Sequence, residues 1–173
     1  AQNLHEEAHN IAQKLAAADS ANAQAQRDLS ISYGSLGKVS MRMGKVQDAL
    51  GFFQRALTLA EKLAAIDPDE SQATLDLPDW YVTLGDVTLQ AGQFQEAVGY
   101  YERGLKIAEE LAATHTKDGK LLRSLAFLHD KIGDARLRTG DMQDAMDLHQ
   151  RSFNARKKLA AANPTNIAVQ REF

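Results

Sequence analysis

The chain has 173 residues, no cysteine and a net charge of −3, which excludes disulfides and thiolate chemistry. Alanine and leucine dominate and prolines number only 3, so helix is the expected state. No stretch approaches the ~20 apolar residues a membrane span needs.

Charge is unevenly placed. Residues 65–114 carry ten acids against two bases, residues 117–158 carry ten bases against six acids, and the first 64 sit near neutral. Blocks of this size are solvated helix faces or a means of steering a partner of mixed charge. Neither is basic enough to imply nucleic acid. The opening segment AQNLHEEAHN has no basic n-region and no apolar run, so it is not a signal peptide. The expected location is the cytoplasm.

Taken in chain order, the first element is a helix over about 2–18, whose Leu15-Ala16-Ala17 returns at Leu63, Leu111 and Leu159. Next, Tyr33, Leu36, Val39 and Met43 recur at three- and four-residue spacing, one face of a helix that Gly44 ends. Val46, Ala49, Leu50, Phe53, Leu57, Ala60 and Leu63 form a longer stripe, closed by Asp67-Pro68. The pair is a helical hairpin, and it recurs every 48 residues without insertion or deletion. Leu36-Gly37 returns at Leu84-Gly85 and Ile132-Gly133, Gly44 at Gly92 and Gly140, and Arg55 at Arg103 and Arg151. A fixed period of this size means a stack of like units, each unable to bury its apolar face alone.

The expected organisation is a partial unit over 1–28 and full units over 29–76 and 77–124. A third spans 125–173 with the start of a new first helix from Pro164, so both ends read as cut from a longer array. Gly37, Gly85 and Gly133 lie inside helices, where glycine costs about 1 kcal/mol against alanine, which argues for close approach of the second helix's backbone. Ala49, Ala97 and Ala145, with Ala56, Gly104 and Ser152, form the expected crossing surface. Pro78 breaks the pattern. It predicts a first helix that starts at or kinks near Pro78, with Asp76 as N-cap.

On these residues the chain resembles the tetratricopeptide repeat, whose pattern W-x2-L-G-x2-Y, then Gly, Ala, Phe and Ala, lies on the sequence without gaps. The aromatic opener falls on Tyr33, Tyr81 and His129, and the later aromatic on Phe53, Tyr101 and His149. Two features depart from the family. Ser40, Thr88 and Arg136 stand where it has tyrosine, and the period is 48 rather than 34 residues, about four extra helical turns per unit. Long-helix variants of the family are known in bacterial multi-repeat proteins and, less extremely, in kinesin light chains. The resemblance implies an all-α, right-handed α-solenoid of antiparallel hairpins, with no catalytic residue and no cofactor.

It also implies a protein-interaction scaffold within a larger protein, binding a peptide or partner protein along its first helices. The groove would present Ile31, Gly34, Lys38, Met41 and Arg42, then Asp79, Val82, Asp86, Leu89 and Gln90, then Phe127, Asp130, Asp134, Leu137 and Arg138. The carboxylate clamp of chaperone-binding members is absent, since Gly34, Val82 and Asp130 hold a key slot. The aspartates beside apolar residues suggest a basic, partly apolar ligand; the bland reading is that they solvate the face.

Three other features compete for function. His5-Glu6-Glu7-Ala8-His9 matches the zinc-hydrolase motif HExxH, although His5 and His9 fall on the packing slots of Phe53 and Leu57, so the match reads as amphipathic patterning. His129 and His149 read as packing residues, and the recurring arginines as ion pairs, with a ladder for phosphate or acidic ligands as the alternative. Leu4, Ile11 and Leu15 at one end, and Ile167 and Phe173 at the other, are complementary by register and predict head-to-tail self-association.

Overall fold

The computed structural model describes residues 2–66, 72–115 and 118–162. Among these the regular structure is helical, with no strand. The helices are α1 (Gln2–Ala18), α2 (Ala23–Arg42), α3 (Val46–Ile66), α4 (Gln72–Gln90), α5 (Phe94–Thr114), α6 (Gly119–Thr139) and α7 (Met142–Ala162). The expected eighth helix, with Ile167 and Phe173, lies outside the described residues, as does the Asp67-Pro68 stop. The chain divides into two compact units, Ala1–Ala97 and Val98–Phe173.

The three tight turns are built alike. Gly44, Gly92 and Gly140 hold φ of 72, 81 and 90°, a left-handed backbone that glycine adopts without Cβ strain. Lys45, Gln93 and Asp141 each donate their backbone N–H five residues back, to Ser40, Thr88 and Arg136, at 2.9, 3.1 and 2.9 Å. Gly44, Gly92 and Gly140 donate to Met41, Leu89 and Leu137. This is the Schellman arrangement, and it satisfies carbonyls the ending helix leaves unpaired. At the opposite ends, Asn22 accepts from Ala25 N and Asp118 from Leu121 N, both at 3.0 Å. These two N-caps stand two repeat periods apart.

In the first unit, α1 and α2 share a cluster of Ala12, Ala16, Ala25 and Leu29. The crossing of α2 and α3 is fixed by small residues: Ala49 and Ala56 are both 0% exposed, and Ser30 Oγ donates to Ala56 O at 2.8 Å. In the second unit α6 and α7 cross the same way with the roles exchanged. Ser152 Oγ, on the second helix, donates to Ala126 O, on the first, at 2.9 Å. The crossing surface predicted from small residues is therefore present, and a hydroxyl clips it in both units.

Two expectations change. The interior glycines admit a ring, not a backbone. A Cβ on Gly37 would stand 2.8 Å from the Phe53 ring, and one on Gly133 would stand 3.0 Å from the His149 ring. The second correction concerns Pro78. Helix α4 begins at Gln72 and runs through it. Asp76 is no N-cap, since its carboxylate pairs with Arg27 at 2.8 Å. Proline removes one helical bond, but Ala73, Thr74, Leu77 and Pro78 are all buried, and that packing holds the first turn helical.

Candidate functional site

The groove residues expected in the first unit lie on α2 and α4. Lys38 and Arg42 are exposed and Met41 is half-buried on α2; on α4, Asp79, Val82, Asp86 and Leu89 are half-buried and Gln90 is exposed. Gly34 is not open as expected. The Trp80 indole of α4 closes over it, and a Cβ there would meet Cζ3 at 2.7 Å. Glycine at this slot thus seats α4 against α2 rather than lining a ligand site. Ile31 remains exposed.

In the second unit the corresponding residues lie on α6. Asp134, Leu137 and Arg138 are exposed, and Phe127 is half-buried under Lys131, whose Nζ lies 4.8 Å from the ring centroid. Asp130 differs from its neighbours. Its carboxylate accepts a short hydrogen bond from Arg156, and His149 Nδ1 lies 3.3 Å away. Burial alone would raise its pKa, but hydrogen bonds from Arg156, Ser152 and His149 reverse this and hold it below the usual value. Arg156 occupies a slot that holds Ala60 and Ala108 in the other repeats, and Asp130 one that holds Gly34 and Val82. The two departures fall in one hairpin because each charge answers the other. That coincidence was readable in the sequence and is the signal by which Arg156 could have been found.

His9 of the HEEAH segment is engaged by α2. Its Nδ1 lies 2.9 Å from Ser32 Oγ, and its ring centroid is 4.6 Å from that of Tyr33. Among the described residues no three His, Cys, Asp or Glu side chains form a group able to hold a metal. The recurring arginines do not act as a ladder of one kind. Arg55 lies 5.8 Å from the centroid of the Tyr33 ring, whereas Arg151 pairs with Glu109 at 3.6 Å. His129 is 5% exposed, and neither ring nitrogen has a hydrogen-bond partner. Its Nε2 stands 3.5 Å from Glu109 Oε1, where the carboxylate acts as a charge more than as an acceptor. One repeat earlier the same slots hold Tyr81 and Glu61, and there the hydroxyl donates to the carboxylate at 2.6 Å.

The tetratricopeptide repeat family model matches residues 28–110, the stretch that carries the first Leu-Gly pairs and turn glycines. The match supports tetratricopeptide repeats over that stretch. Repeats of this family bind proteins or peptides and act as interaction scaffolds. Among solved structures the chain is similar to one titled "Crystal structure of MamA", with 22% identity over 91% of each chain and a TM-score of 0.40. Among curated proteins none matches. No helix of the described residues is long and apolar enough to cross a membrane.

Proposed function

We propose that the chain is a non-catalytic scaffold whose inner face in the first unit holds a basic, partly apolar segment of a partner protein. The observation that carries this reading is Asp79 and Asp86 half-buried beside Val82 and Leu89 on one helix. A carboxylate set in partly apolar surroundings attracts a cation more strongly than one in open water. In the second unit, Asp130 is bound by Arg156 and Asp134 lies 3.6 Å from His149 Nε2, so neither adds to this reading. The basic-ligand reading rests on the placing of Asp79 and Asp86 beside Val82 and Leu89 on α4.

Asp86→Lys should abolish selection of basic peptides from a display library, with the circular dichroism spectrum unchanged; Asp86→Asn, which removes charge without reversing it, should weaken selection. Unchanged selection by both variants, with the fold intact, would remove the inner face as the binding surface.

A second reading, head-to-tail self-assembly, is favoured by the α1 stripe. Leu4, Ile11 and Leu15 are 69, 60 and 56% exposed. One repeat on, the place of Ile11 is taken by Leu59, which packs against the Ala25 and Leu29 cluster. The stripe is thus a surface that a first helix covers elsewhere in the array. Sedimentation velocity over a concentration series should show growing species that Ile11→Glu suppresses. A concentration-independent monomer would rule this reading out.

A further inference from the structure

The second unit carries a groove on a different face, between α5 and α7. Two adjoining clefts of about 360 and 330 Å³ meet at the Glu109–Arg151 pair, which lines both. Leu105 and Leu148 give the first cleft an apolar lining, with Ile132 of α6. Beside the Glu109–Arg151 pair, the first cleft holds Glu102 and Arg136, which pair at 3.3 Å, and Lys106 with Asp144 and Asp147, so acids exceed bases there by one. The N-terminal half of α7 contributes Asp144 and Asp147 to the first cleft, and its C-terminal half contributes Lys158 to the second.

The floor of the second cleft includes His129, nine-tenths buried and without a hydrogen-bond partner on either ring nitrogen. The Glu109–Arg151 pair is a surface pair, 47 and 64% exposed, and pairs of this kind hold by only about 0–1 kcal/mol. It can open to an incoming group at little cost, freeing Arg151.

We propose that this groove docks an extended segment of another protein in which a basic residue, an apolar residue and an acidic residue follow one another. The basic side chain lies over Asp144 and Asp147, and the apolar one rests on Leu105 and Leu148. The carboxylate meets Arg151 and Lys158 beside His129. Spacing follows from helix geometry. Asp144 and Lys158 are fourteen residues apart on α7, about 21 Å along its axis, which an extended segment covers in about six residues. The site is distinct from the inner face and does not depend on it.

The test is selection from a random heptapeptide display library on the whole chain, with the strongest peptide then measured by fluorescence anisotropy. The parent should enrich a basic residue at one end, an apolar residue centrally and an acidic residue at the other end. Asp144→Lys with Asp147→Lys, both exposed, should replace the basic preference with an acidic one. It should weaken the parent's peptide at least about tenfold. Asp86→Lys, on the inner face, should leave that peptide's affinity unchanged. Failure of the parent to enrich the pattern, the same enrichment in the Asp144/Asp147 variant, or loss of the peptide on Asp86→Lys would each overturn the proposal.

Discussion

Phe53→Ala should lower the stability of the α2–α3 hairpin by about 3–5 kcal/mol, the usual cost of deleting a buried aromatic ring. Phe53 is 1% exposed, and its ring sits where a Cβ on Gly37 would be. Removing the ring leaves a cavity beside a glycine that has no side chain to fill it. Gly37→Ala approaches the same seat from the other side. Three Phe53 ring atoms lie 2.8–2.9 Å from the added methyl, and a ring this enclosed cannot swing away. Overpacking typically costs 1–3 kcal/mol, against about 1 kcal/mol gained from helix propensity, so the net change should be destabilising. The internal control is Gly51→Ala on α3, where nothing lies within 4 Å of the new Cβ and the propensity gain stands alone. Hydrogen exchange on α2 and α3 amides resolves the three variants separately, which a global melt of a repeat array does not. Equal effects of Gly37→Ala and Gly51→Ala would show that the ring seat exerts no constraint.

Acid should weaken the second unit, and His129→Tyr should remove most of that sensitivity. Burial, the dominant influence, lowers the His129 pKa; Glu109 of α5 opposes the shift and Arg151 of α7 adds to it. The unfolded chain therefore takes up the proton first, near the ordinary histidine value of about 6.5. Stability from the neutral ring is fully present above that value, and it is lost as pH falls from there through the lower folded value. Asp130 contributes in a separate window. Its folded pKa is depressed, so its stabilisation is lost only as pH falls below the ordinary carboxylate range. Tyrosine at position 129 restores the residue type of Tyr81, which donates to Glu61 at 2.6 Å. Thermal melts between pH 7.5 and 5 should show a falling midpoint in the parent and a nearly flat one in the variant. The small remaining slope belongs to His9, also lowered by burial and by Arg55. A variant with the parent's full slope would show that His129 is not the sensor.

Most of the fold was legible in the sequence because its determinants are local and repeated. A glycine at a turn, an alanine at a crossing and an aromatic at a seat each recur at one spacing, and three copies separate pattern from accident. Pro78 misled because propensity was weighed alone, whereas Ala73, Thr74 and Leu77 before it and Tyr81 and Leu84 after it are buried and hold the helix on both sides. The inner face was legible only in outline. Register placed Asp86 and Asp134 one period apart, but it did not show that Asp130 meets Arg156 or that Asp134 lies 3.6 Å from His149. The groove between α5 and α7 was legible only in part: Arg151 and the acid at Asp144 recur in every repeat, whereas Asp147, which stands where the other copies have Gly51 and Gly99, does not. Periodicity reveals what units share, and a binding surface draws also on what they do not.

The two serine clips bear on how such a chain can change. Ser30 donates from a first helix to Ala56, and Ser152 donates from a second helix to Ala126, so matching crossings carry one hydroxyl each from opposite partners. The middle repeat holds Pro78 and Gly104 at those places. A helix transplanted alone would therefore meet the wrong complement: α2 facing α7 brings two hydroxyls to one crossing, and α6 facing α3 brings none. Whole hairpins can be duplicated, deleted or shuffled without disturbing this match, and lone helices cannot. The heritable module of this array is the matched pair, and recombination that respects its borders keeps the clip while leaving the outward-facing residues open to drift.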